Sequence, residues 1–375
     1  MPIEIIRQLE QWEAQRAVWE EIDAAGEHHT PFQSFTWLTG WWKYAADGEL
    51  YIIRVSDTTG RTIGFAPFFL RKQYYGWPLT HLALIGTKRA DYLDFLVRSG
   101  SEDVFFTTLF DVLHDPERPF ACIDLRDVRD RSPSVPFLLR EVGKRSWFCT
   151  MDGRSICVAA PLPPDWGTFL NRLGKRARKD VDYDRRYLAR HFAVEIRDCR
   201  TPPAVDEAFR DMVGIYHARW MQELGSHRFA DAEAIRFEQT LYEDAAHRGT
   251  LRCWMLYLDG GPAACVSGFV RGRRLFLDTV VHHPAYHKYS VGNVLIGHAI
   301  EACIGEALTE CDFTRGPERY KYGWGGAERS NLHIRICPDH GTTVRAMRAE
   351  QTYLAAAKSR TLQQIVALYR RTRSA

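Results

Sequence analysis

The stretch LFLDTVVHHPAYHKYSVGNVLI, residues 275–296, constrains the fold of this chain more than any other. It reads as a buried strand, a short turn, and a helix that opens at Ser290 and Gly292. The first N–H groups of a helix have no partner inside it, and the helix dipole adds partial positive charge there. Such an end suits phosphate or pyrophosphate. Pro284 fixes φ and brings no N–H, Gly292 admits close backbone approach, and Lys288 adds charge. The competing reading is an ordinary strand–helix connection capped by Ser290.

With 375 residues, two domains of ordinary size are expected. Hydrophobic content of 45%, including 13% aromatic residues, suffices for packed cores. Lys+Arg 50 against Asp+Glu 47 leaves a net charge of +3, so no global nucleic-acid signature exists and anion binding must be local. The opening residues lack the pattern of a secretory signal, and no apolar run is long enough for a bilayer. Nine cysteines without a CxxC pair predict a reduced, cytoplasmic protein whose thiols act as small hydrophobes. No HExxH or paired Cys/His spacing predicts a metal site, and no GxSxG elbow predicts a serine hydrolase.

Along the chain, a short strand at 3–6 precedes one helix over 8–25 and an aromatic helix over 35–46. Short apolar segments at 51–55, 63–70, 79–85 and 92–97 read as a strand meander, followed by a helix at 103–113, a strand at 120–125 and a helix at 135–144. The run PLPP at 161–164 marks a junction. Beyond it come a helix from Trp166, a basic helical stretch to Arg190, a strand at 193–197, and helices over 205–222 and 232–247. Strands at 251–258, 263–270 and 275–281 follow in meander order, then a helix at 292–307, strands at 310–313 and 332–336, and a helical tail from 343. Each half offers helices, antiparallel strands, a helix and a further strand. This echo suggests duplicated domains, of which only the second keeps a loop like 287–292.

Three further groups carry chemistry. Asp278 interrupts an apolar strand, and a buried carboxylate needs a partner or a raised pKa, so it is a candidate base or substrate ligand. Satisfaction by neighbouring backbone is the plainer alternative. His217 and Trp220 share one face of the helix 205–222, with Arg219 beside them. Asp312-Phe313-Thr314-Arg315-Gly316 followed by Tyr320-Lys321-Tyr322-Gly323-Trp324 leaves a strand end and enters a loop, a common position for site residues. Phe313 reads as core. Two basic clusters, 172–190 and the tail after Glu350, suit phosphate, tRNA or an anionic membrane, or are simply solvated faces.

The pattern His283-Pro284-Ala285-Tyr286-His287-Lys288-Tyr289-Ser290-Val291-Gly292 resembles the acyl-CoA pyrophosphate loop of GNAT N-acyltransferases, V-x-P-x-Y-R/Q-x-x-G-x-G/A, with His287 for the Arg or Gln and Ser290 for the first Gly. The pattern D-F-x-x-G-x-x-x-Y-K-x-x-W from Asp312, with His217-x-Arg219-Trp220 upstream, resembles the FemAB-like and CelD-like branch of that superfamily. The resemblance implies an α/β fold of two tandem GNAT-like domains, each a mixed, mostly antiparallel sheet flanked by helices. Residues 1–160 would form a degenerate first domain, 161–340 the catalytic one, and 341–375 a basic amphipathic tail.

It further implies transfer of an acyl group from acetyl-CoA or another acyl-CoA to an amine, on a sugar, polysaccharide precursor or amino-acid-like acceptor. Backbone at Val280 and Val281 would hold the acyl carbonyl, and Lys288, Tyr289, Ser290, Val291, Gly292 and Asn293 the pyrophosphate. Asp278 or His217 would accept the amine proton, and Tyr320 would protonate the thiolate. Arg219, Trp220, Asp312, Lys321 and Trp324 would contact substrate. Two alternatives remain: a FemAB-like donor, aminoacyl-tRNA, met by the basic stretch 172–190, and a non-catalytic partner of a polysaccharide synthase, held at the membrane by the basic tail.

Overall fold

The computed structural model describes residues 1–74, 78–220, 228–229, 231–338 and 341. The first half runs β1 (Ile3–Ile6), α1 (Leu9–Glu13), α2 (Arg16–Ala25), α3 (Phe35–Ala45), β2 (Glu49–Ser56), β3 (Thr62–Arg71), β4 (His81–Leu84), β5 (Leu96–Val97), α4 (Glu102–Leu113), β6 (Cys122–Arg129), α5 (Ser134–Lys144) and β7 (Phe148–Pro161). The second runs α6 (Trp166–Arg172), α7 (Lys175–His191), β8 (Val194–Asp198), α8 (Pro202–Trp220), α9 (Ala232–His247), β9 (Leu251–Leu258), β10 (Gly261–Arg271), β11 (Arg274–His282), α10 (Val291–Gly305), β12 (Glu310–Arg315), α11 (Arg319–Gly323) and β13 (Ala327–Cys337). Three expectations change. The helix over 8–25 is two helices, the strand over 92–97 shrinks to β5, and the loop after Asp312 contains α11. The expected tail helix and its basic residues lie outside the described residues.

One sheet joins both halves in the order β1-β2-β3-β4-β6-β13-β7-β12-β11-β10-β9-β8, with β5 on β3. The order is palindromic. β2, β3 and β4 are antiparallel neighbours and β4 is parallel to β6. β9, β10 and β11 repeat this, with β11 parallel to β12. At the centre the halves exchange strands: β7 reaches over to pair with β12, and β13 returns to pair with β6. A division at 160/161 therefore gives neither half its own last strand.

Helices cover both faces. The larger core runs through the first half and continues beneath α8 and α9, with Trp12, Trp19, Phe35, Phe65, Phe105 and Tyr242 fully buried. The α3 helix packs on α9, where Trp37 meets Phe237 edge-on. The second core, on the other face, holds Leu275, Leu277, Trp324 and α10. That helix, VGNVLIGHAIEACIG, is apolar around most of its circumference, as a helix set into a core must be.

Candidate active site

Strands β11 and β12 pair only over Arg274–Phe276 and Glu310–Asp312. Beyond that they diverge, and the opening is closed at one end by the start of α10. A cleft of about 520 Å³ lies there, lined by Arg219, Val280, His282, His287, residues 290–293, Ile296, Arg319 and Tyr320. Among the expected residues, it unites Val280, Ser290, Val291, Gly292, Asn293, Arg219 and Tyr320.

The turn into α10 explains one oddity of the sequence. Ser290 has φ 55° and ψ 26°, a left-handed backbone that costs a side-chain-bearing residue roughly 1–2 kcal/mol, and its side chain does not cap the helix. Glycine is the natural residue for this geometry. Instead, Ser290 and Asn293 hydrogen-bond the Asp184 carboxyl of α7, which burial pushes upward against those bonds. Asn293 Nδ2 lies 3.3 Å from it, and Asn293 Oδ1 accepts from Trp324 Nε1 at 3.0 Å.

At the open end, Arg219 donates to the His282 ring, 2.7 Å from Nδ1. His282 Nε2 lies 3.3 Å from Nδ1 of the exposed His287. Burial, the Arg219 charge and His287 push His282 down to about 4, so its imidazole is neutral near pH 7. Tyr320 is 37% exposed, its ring edge-on to Phe313, and partial burial, aided by the Glu318 charge, keeps the phenol protonated well above its ordinary range. His282 escaped the reading of the sequence; the His282-His283 pair at a strand end was the available signal.

Other expected residues lie elsewhere. Asp278 is on the sheet face under α8 and α9, where Arg228 Nη2 (2.6 Å), Tyr242 (3.0 Å) and Thr279 (3.1 Å) donate to its Oδ2. Burial alone would raise it, but Arg228 and Arg89 outweigh that and hold it a carboxylate, which makes it a weak base. His217 Nε2 donates to Phe229 O at 2.9 Å. Val281 points into the larger core, while Lys288 and Tyr289 flank the cleft, Tyr289 packing on Tyr187, His191 and Phe192. The Trp220 side chain lies outside the described residues.

Three residues expected to contact substrate are buried, each with internal partners. Asp312 is 2% exposed and accepts from Tyr92 (2.8 Å) and Thr314 N (2.8 Å). Lys321 is 2% exposed, donating to Arg315 O (2.7 Å) and pairing with Glu318, so it fixes the turn into α11. Trp324 is 3% exposed, stacked near Phe169 and against Gly297. Asp312 sits at the last paired position of β11 and β12, Lys321 holds the carbonyls just beyond it, and Trp324 packs on α10. Among the described residues no cluster of three or more His, Cys, Asp or Glu is placed to hold a metal, and no helix is long and apolar enough to cross a membrane.

Comparison with known proteins accords with this geometry. Residues 175–322 match the family described as acetyltransferase (GNAT) domain. No curated protein matches in sequence. Among solved structures, FemX superposes with a TM-score of 0.61 at 10% identity, covering 90% of this chain and 97% of FemX. The C-terminal domain (DUF2156) of a putative lysylphosphatidylglycerol synthetase from Agrobacterium fabrum gives 0.54 at 9% identity, covering 90% and 95%. L-PGS from Bacillus licheniformis gives 0.53 at 9%, covering 93% and 97%. With residues 175–322 matching that family and its two sheet halves in mirrored order, the chain has the FemAB-like tandem GNAT fold.

Proposed function

We propose that the cleft between β11 and β12 transfers an acyl group from acyl-CoA to an amine. One observation carries this reading: the diverging parallel strands, the first turn of α10 and Tyr320 meet in a single cleft. The first-turn N–H groups at 291–293 and the Arg219 and Arg319 side chains suit a pyrophosphate. Backbone at Val280 and Val281 orients the acyl carbonyl, and Tyr320 supplies the proton that the departing thiolate takes up. Phosphates near Arg219 draw that guanidinium off His282, restore its basicity and leave it to accept the amine proton; Asp278 and His217 hold the surrounding frame. The acceptor amine sits on a sugar, polysaccharide precursor or amino-acid-like molecule, which rests on the CelD-like resemblance alone. Thermal shift with acetyl-CoA, longer acyl-CoAs and free CoA tests the donor. A ligand at a hundred times its Kd stabilises by about 2.7 kcal/mol, and no shift with any of them sinks this reading.

A second donor, aminoacyl-tRNA, is favoured by Asp184, which brings negative charge to the start of α10. The adjacent α7 exposes Arg178, Lys179, Arg186 and Arg190 to meet RNA phosphates. Binding of tRNA that weakens steeply with salt, without stabilisation by acetyl-CoA, selects this donor.

A further inference from the structure

Strand β11 changes face midway. Leu275 and Leu277 belong to the core around α10, while Phe276 belongs to the larger core on the other side. After Asp278 the alternation is inverted: Val280 packs on the α10 side and Val281 on the other. The cause is a β-bulge, since Ser267 pairs with Thr279 and Gly268 with Leu277, leaving Asp278 as an extra residue. A side-chain period of two means that without this insertion Val280 and His282 would face away from the cleft.

Arg228 grips the bulge from three sides. Its Nη1 donates to the Asp278 backbone carbonyl (3.1 Å) and to Thr279 Oγ1 (3.0 Å), and its Nη2 donates to Asp278 Oδ2 (2.6 Å). The same Nη2 pairs with Glu238 of α9, only 1% exposed, whose other oxygen pairs with Arg89. Arg89 belongs to the first half of the chain, in the turn that follows β4. Two arginines and two carboxylates thus alternate from the first half to the bulge, each buried charge compensated by its neighbour.

We propose that Arg228 is a positioning residue that locks the bulge and so aims Val280 and His282 into the cleft, and that the first half holds this lock through Arg89 and Glu238. The first half then takes part in the reaction without touching a substrate. The catalytic consequence rests on the acyltransfer reading above; the positioning does not.

The test compares Arg228→Met, Arg228→Lys, Arg89→Met and, as a surface control just past the end of α9, Arg248→Met. The His282 imidazole resonances and their titration are followed by NMR, beside kcat, KM for acetyl-CoA and thermal melting. Arg228→Met is expected to move the His282 resonances and lower kcat about 10–100-fold, as loss of an orienting partner does, with KM changed less than about threefold. Arg228→Lys recovers part of both, and Arg89→Met reproduces the shift more weakly. Should Arg228→Met fail to fold, Arg89→Met, which alters a partly exposed residue, decides the matter. His282 resonances in Arg89→Met and Arg228→Lys identical to those of Arg248→Met overturn the proposal. If the unaltered protein neither binds nor turns over acetyl-CoA, the donor reading fails while the NMR comparison still decides the lock.

Discussion

Single residues carry most of the chemistry through what stands beside them. Asp124 and Asp312 occupy matching places, each opposite the third residue of the parallel pairing in its half. Burial raises both. His333 and Arg126 outweigh it at Asp124 and bring that group down to about 2, whereas Asp312 meets chiefly the neutral donors Tyr92 and Thr314 N and stays up at about 6. Asp124 therefore adds stability that is lost only as pH falls from its ordinary value of 3.8 through about 2. His282 acts in a higher window. Its folded value of about 4 lies under the ordinary 6.5, so the unfolded chain binds the proton first and stability declines as pH falls from about 6.5 to about 4. If donor phosphates neutralise Arg219, the acidic limb of kcat moves up toward pH 6.5 while that of kcat/KM stays near 4. Matching limbs in the two pH–rate profiles would refute that coupling. Sequence alone marked Arg219 and Tyr320 through motif and position. It missed His282 because the inserted residue at Asp278, invisible in a strand-like run, decides which way His282 points.

Strand, turn and helix at 275–305 were legible because their signals are local: an apolar run, Pro284, then helical periodicity. The departure at Ser290 also becomes a prediction. Ser290→Gly removes left-handed strain of roughly 1–2 kcal/mol at the expense of about 0.5–1 kcal/mol of chain entropy. A stability gain of up to about 1 kcal/mol is expected in denaturant titration, with tighter CoA binding as the backbone clears the phosphate site. A loss in both would contradict the turn geometry. Farther along α10, a Cβ at Gly297 would stand 2.8 Å from the Trp324 ring. Gly297→Ala gains about 1 kcal/mol in helix propensity but overpacks a rigid aromatic, which costs about 1–3 kcal/mol. A lower melting temperature is the expected result, and an unchanged or higher one would mean that Trp324 is free to move. The residues 312–324 were harder to read. Polar and aromatic types after a strand signal a site, yet here Asp312, Lys321 and Trp324 spend their polar atoms on internal partners: Tyr92 and Thr314 N, Arg315 O and Glu318, and Asn293.

At the scale of the molecule, the mirrored halves were visible as an echo in the sequence, but the exchange of β7 and β13 was not. Strand partners separated by more than a hundred residues leave no local mark, and the long β7 is interrupted by Asp152, Gly153 and Ser155 before its short apolar stretch at 156–160, which runs straight into the PLPP break. Because each half contains a strand of the other, heat should unfold the protein in one transition with matching calorimetric and van't Hoff enthalpies. Two separated transitions would show that the halves are independent. The exchange also bears on synthesis. β13 is paired on one side with β6 and on the other with β7, yet it emerges from the ribosome about 175 residues after β7. At about 5–20 residues per second the nascent chain carries the open edges of β6 and β7 for roughly 10–35 s. Unpaired edges are where chains stick to one another, so a growing polypeptide of this design depends on shelter, from chaperone or ribosome surface, until β13 arrives.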